Sequence, residues 1–185
     1  MSQIRITLVC PDDSYADKVY EKTSKWFRDA ELESFMNQAG FSMKYIEDHG
    51  YICSGRVRNV DYEENKVYID IEVDKPYVKM WKPIVNKHWS SDVKIFFQYE
   101  DFEKDVYLLN DPSQIGKMYV FSMDAGLDGV YDDEETLVKD LLEDLELCGI
   151  CPENTDLNSL KQEYEYLGFD LEIYPYKYIS IEDAN

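Results

Sequence analysis

The stretch Val67-Tyr68-Ile69-Asp70-Ile71-Glu72-Val73 alternates apolar and polar residues through seven positions. Successive side chains of a strand point to opposite faces, so this pattern predicts a strand with one buried face and one wet face. Working outward from it gives the fold. On its N-terminal side, Glu63-Glu64-Asn65-Lys66 reads as a hairpin turn with Asn65 suited to positive φ. On its C-terminal side, Pro76 opens a short helix carrying Val78, Trp81, Ile84, Val85 and Trp89. Pro83 limits that helix or sits in its first turn. Val93, Ile95 and Phe97 then alternate as another strand.

Nearer the start, Ile4, Ile6 and Leu8 alternate with Arg5 and Thr7 as a half-buried strand. Pro11-Asp12-Asp13-Ser14 supplies a turn and an N-cap for a helix over about 14–29, carrying Val19, Thr23, Trp26 and Phe27. Leu32, Phe35, Met36 and Ala39 continue it or form a second helix, stopped by Gly40. Met43, Tyr45, Tyr51, Cys53, Val57 and Val60 have β chemistry. The resulting order β-α-β-β-α-β over residues 3–99 is the split βαβ, or ferredoxin-like, arrangement. It predicts an α+β fold: an antiparallel sheet with helices on one face.

Two added strands are expected at about 104–122, from Val106-Tyr107-Leu108-Leu109 and from Met118, Val120 and Phe121. Residues 1–122 would then be the core. Residues 123–185 would be an acidic helical extension with a terminal strand, packed on the same domain. Asp132-Asp133-Glu134-Glu135 starts a helix, with Asp132 as its N-cap, because acids there meet the positive end of the helix dipole. Leu137, Val138, Leu141, Leu142 and Leu145 form its apolar stripe, and Gly149 ends it. Asn154 or Thr155 caps a second helix with Leu157, Leu160, Tyr164 and Leu167, and a strand or extended tail follows Gly168. The glycines at 116, 126 and 129 mark the best place for a seam.

Several short combinations resemble the YubB-like ferredoxin-fold family of proteins carried by plasmids, phages and other mobile elements. They are Trp81-Lys82-Pro83, a strand ending in Tyr99-Glu100-Asp101, then Asn110-Asp111 and a strand with Tyr119. The similarity spans roughly residues 55–122. It implies the fold and a mobile-element origin, and it brings no catalytic residues.

Charge is the unusual property. Nineteen Lys and Arg stand against 39 Asp and Glu, a net of −20, and aromatics reach 15%. That aromatic content excludes a disordered acidic polymer. Residues 1–95 carry 14 cations and 16 carboxylates, whereas residues 96–185 carry 5 and 23. A chain so charged is repelled by nucleic acid and by anionic membranes. No apolar run approaches the length of a membrane span, and the first residues lack a signal-peptide pattern, so the expectation is a cytoplasmic protein.

No motif identifies an enzyme. G-x-S-x-G, the P-loop, G-x-G-x-x-G and H-E-x-x-H are all absent from the sequence. Neither His49 in its turn nor His88 near a helix end sits in a nucleophile motif. Cys148-Gly149-Ile150-Cys151 follows a helix C-terminus and ten carboxylates, a setting that opposes redox chemistry of the kind found at helix N-termini. With Cys10 and Cys53 far off, four reduced cysteines and no metal are expected. Asp124 to Glu135 formally matches positions 1, 6 and 12 of a calcium loop but fails at position 3. Tyr and Phe could stack on bases, but Arg56 and Arg58 with Lys75, Lys79, Lys82 and Lys87 make no basic stripe.

The expectation is a non-enzymatic protein with no cofactor, whose partner is a basic-surfaced protein such as a nuclease. Asp128, Asp132, Asp133, Glu135, Asp140, Glu143, Asp144 and Glu146 are the candidate partner-binding residues. One helical turn rises about 5.4 Å and phosphates along one DNA strand about 3.4 Å each, so carboxylates three or four apart could occupy part of a cleft built for phosphates. With a mobile-element origin, such mimicry suits an inhibitor of a restriction or CRISPR nuclease. An accessory protein, or a weak calcium-binding module using the 124–135 loop, is the alternative.

Overall fold

A computed structural model describes residues 2–50, 54–74, 78–89, 91–101 and 104–184. Among them are eight strands and six α-helices, so the chain is α+β. It divides into two compact units: Met1–Asp101, Leu108–Asp111 and Tyr178–Asn185 form one, and Phe102–Tyr107 with Pro112–Lys177 form the other.

The first unit contains β1 (Ser2–Val9), α1 (Asp13–Ser24), α2 (Leu32–Gln38), α3 (Met43–Asp48), β2 (Gly55–Glu63), β3 (Lys66–Val73), α4 (Trp81–His88) and β4 (Lys94–Asp101). Its strands run in the order β2-β3-β1-β4, and all neighbours are antiparallel. The seven-residue alternation occupies interior strand β3. Val67, Ile69, Ile71 and Val73 are buried with Ile4, Ile6 and Leu8 of β1, against Val19, Phe35, Met36, Trp81 and Ile84 from the helices. Fully burying one such aliphatic side chain contributes about 1.5–3 kcal/mol, so one face of this sheet carries most of the unit's stability. The other face holds Arg5, which forms a bidentate pair with Asp70 directly across the ladder.

Three local expectations change. The first helix ends at Ser24 rather than near 29: the Trp26 N–H closes on Thr23 O, three residues back, in place of the four-residue bond that would continue it. Met43–Asp48 is helical, not extended: Ser42 caps it through Tyr45 N–H, and only Ile46 is buried. One buried residue in six leaves no 3.6-residue period to detect. In the β2–β3 turn, positive φ falls on Glu64 (51°). Asn65 instead holds β1 with its side chain, donating Nδ2–H to Cys10 O at 2.9 Å. Pro76, Tyr51 and Cys53 lie outside the described residues.

The chain passes between the units after Asp101, after Tyr107 within β5 (Val106–Leu109), after Asp111 and after Lys177. In the first unit, Asn110 accepts from Phe97 N–H at 2.7 Å and donates to Ile95 O at 3.1 Å, fixing the chain after β5 to β4.

The second unit contains β6 (Met118–Ser122), β7 (Leu127–Tyr131), α5 (Glu134–Leu147), α6 (Leu157–Tyr166) and β8 (Glu172–Tyr178), with strand order β8-β6-β7. The expected pair of extra strands is therefore exceeded. Its core joins Met118, Val120 and Leu171 to Leu137, Leu141, Leu145, Leu160 and Tyr164. The helix caps are Asp133 and Asp156, one or two residues later than expected. Each reaches the N–H three residues ahead, at 2.7 and 3.1 Å. Gly149 and Gly168, at φ 79° and 88°, end the helices as their composition suggests.

Candidate functional site

The second unit concentrates the charge: eighteen carboxylates against five lysines. The structure separates the eight candidate carboxylates into groups with different work. Asp128 lies exposed on β7. Asp132 meets Lys117 at 3.0 Å. Asp133 is the α5 cap, and the hydrogen bond from Thr136 N–H holds its carboxyl below the usual range. Glu143 meets Lys139 at 3.4 Å, one turn back along α5. Glu135, Asp140 and Glu146 are exposed on the same helix.

Asp144 has a different role. Its Oδ2 accepts from the Tyr164 hydroxyl at 2.6 Å, and that ring is 1% exposed. Burial first, then this carboxylate, raises the tyrosine's pKa. Tyr131 is also pushed up, by burial and then by the charges of Asp140 and Asp144, two acids that helical spacing puts on one flank of α5. At about 100° per residue, Glu135 and Glu146 share the opposite flank, with Glu143 between the two groups. The acids thus flank α5 on two sides, and Lys139 interrupts them.

The 124–135 segment is a hairpin end, a strand and a helix start. Asp128 and Gly129 pair with Phe121 and Val120 of β6. An extended strand sends alternate side chains to opposite faces, so these residues do not wrap around a point. Among the described residues, no three His, Cys, Asp or Glu side chains are grouped to hold a metal ion.

Cys148 and Cys151 are exposed, free thiols; Cys10 is buried and free, and burial pushes its pKa to about 11. His49 bonds through Nδ1 to Tyr45 O at 2.7 Å. His88 Nε2 meets Ala39 O at 2.6 Å beside Trp26 and Trp89. Burial lowers its pKa, outweighing the bond to Ala39 O, which raises it. In the first unit, a recess of about 290 Å³ is lined by Glu31, Arg56, Arg58, Glu72 and Asp74. Arg58 there is paired with Glu72, so cation and carboxylate offset each other.

Sequence reasoning missed two features. One is the Asp144–Tyr164 bond, which joins residues twenty apart and has no local signal. The other is β7, whose Asp128-Gly129 suggests a turn. No helix among the described residues is long and apolar enough to cross a membrane. Neither a known protein-family model nor a curated protein matches this chain.

Proposed function

We propose that the chain is a non-enzymatic binding protein, and that its second unit engages a basic surface on a nucleic-acid-handling protein where nucleic acid would otherwise lie. The observation that carries this reading is the eighteen-to-five excess of carboxylates in one unit, with Asp128, Glu135, Asp140 and Glu146 exposed. Like charges held together on a folded unit cost stability through self-repulsion. A binding role gives that cost a return, because such a field speeds encounter with a basic patch.

The two-sided placement on α5 favours steering by an acidic flank over a row matched to phosphate spacing. The strand order β2-β3-β1-β4 with antiparallel neighbours supports a ferredoxin-like arrangement for the first unit, as the YubB-like resemblance implies. A mobile-element inhibitor of a restriction or CRISPR nuclease, acting in the cytoplasm, is the fuller form of the proposal.

The test is capture on immobilised protein from a host lysate, followed by elution with duplex DNA. Release of nucleic-acid-binding proteins by DNA, at constant ionic strength, is the expected result. Retention of those proteins against DNA, or capture of none, would contradict it.

A further inference from the structure

Every sheet edge presents unpaired backbone groups, and proteins blunt such edges or use them. The edge strand of the first unit, β2, is blunted. Its register shifts between Val57 and Asn59, and the Ala30–Glu31 segment covers it through Val57 N–H to Ala30 O at 2.8 Å and a bridge from Glu31 to Arg56. One end of the order β8-β6-β7 in the second unit is β7. Its five residues pair with β6 in an unbroken register from Leu127 to Tyr131. No other described backbone segment bonds to it.

We infer that β7 is a docking edge for an extended basic segment of a partner protein, which would add to the sheet as a further antiparallel or parallel strand. This rests on the reading of the second unit as a protein-binding unit and names the kind of partner segment. Charge selects the occupant. Asp124 and Asp128 stand at one end of the strand; at the other, Asp132 is shared with Lys117 and Asp133 with the start of α5, so the unpaired charge lies on the Asp128 side. A second copy of β7 would set these carboxylates against their own kind, and an acidic segment would do the same.

Side-chain pattern narrows the segment further. Asp128 and Val130 are exposed on one face of β7, Val130 to 53%. Val130 pairs with Tyr119 of β6, which pairs in turn with Tyr174 of β8. An added strand would continue that row with an apolar residue and meet Asp128 with Lys or Arg. Main-chain bonds would supply affinity, and this alternation specificity. Gly129, on the other face, has room for a neighbour: a methyl built there would come no closer than 3.7 Å to Tyr131.

The experiment uses the full chain and the seven-residue peptide Lys-Thr-Val-Thr-Lys-Thr-Val, which sets Lys and Val alternately along one face of a strand, with hydrogen exchange read at the amides of residues 127–131. Binding that slows exchange at β7, weakened at least tenfold in Asp128→Lys/Val130→Lys, is the expected result. Should that variant fail to fold, Asp128→Asn serves, with a loss of about threefold. Equal binding of the same peptide with a central Pro overturns the inference, because charge alone then suffices. So does protection confined to other elements, absence of binding, or a concentration-dependent dimer that protects β7 without peptide. Failure at β7 with DNA-releasable partners still captured removes this inference and leaves the wider reading standing; loss of capture removes the reading itself.

Discussion

The Tyr164 hydroxyl donates to Asp144 Oδ2 at 2.6 Å across the α5–α6 contact. One carboxylate of the acidic helix is thus part of the fold, while its neighbours Asp140 and Glu143 face water. Tyr164→Phe should cost about 1.5–3 kcal/mol, the usual range for a hydrogen bond to a charged group. Urea unfolding monitored by circular dichroism checks this. An unchanged midpoint would show that water replaces the bond without loss.

Asn110→Ala should destabilise the first unit by about 1–3 kcal/mol, since it leaves two part-buried backbone groups of β4 without their partner. Asn110→Asp should cost more than Asn110→Ser, because a carboxylate cannot donate to Ile95 O and would carry charge into a part-buried place. Denaturation midpoints of the three variants give the order.

His88 should make stability fall on mild acidification. Burial lowers its folded pKa below the ordinary 6.5, and Lys22 and Lys87 act in the same direction, while the bond to Ala39 O opposes them. The unfolded chain therefore binds the proton more readily. This contribution is complete above about pH 6.5 and is lost as pH falls through the lower folded value. His88→Gln, which keeps a donor for Ala39 O, should lose less of its urea midpoint between about pH 7.5 and 5.5 than the native chain does. An identical slope would remove His88 from the account.

Thiol labelling should divide the cysteines. Cys148 and Cys151 are exposed and should react in the folded protein, whereas buried Cys10, with its pKa raised to about 11, should react only on unfolding. Peptide mapping after a short alkylation distinguishes them. Modification of Cys10 at the rate of Cys148 would contradict its burial.

The long alternations were readable because burial wrote them. Val67 to Val73 must put every second residue in the core, and Leu137, Leu141 and Leu145 must share one side of α5. Short elements escaped for the same reason. Helix α3 buries Ile46 alone, and β7 is made a strand by its pairing to β6 rather than by its own composition. Caps shifted by a residue or two because adjacent Asp and Thr side chains compete for the same N–H groups, and geometry decides between them. The charge imbalance was plain from composition. Its distribution was not: Lys117, Lys139 and Tyr164 each take one of the candidate carboxylates, and only folding brings the first and last of them to their acids.

The most direct test is the association rate with the partner captured by the immobilised protein, measured for the native chain and for Glu135→Gln/Asp140→Asn/Glu146→Gln. These three side chains are exposed and leave the Asp144–Tyr164 bond intact. If acidic steering is the function, the variant should associate about tenfold more slowly at low salt. The difference should shrink as added salt shortens the screening length to about 8 Å at physiological ionic strength. Equal rates for the two proteins, independent of salt, would contradict it.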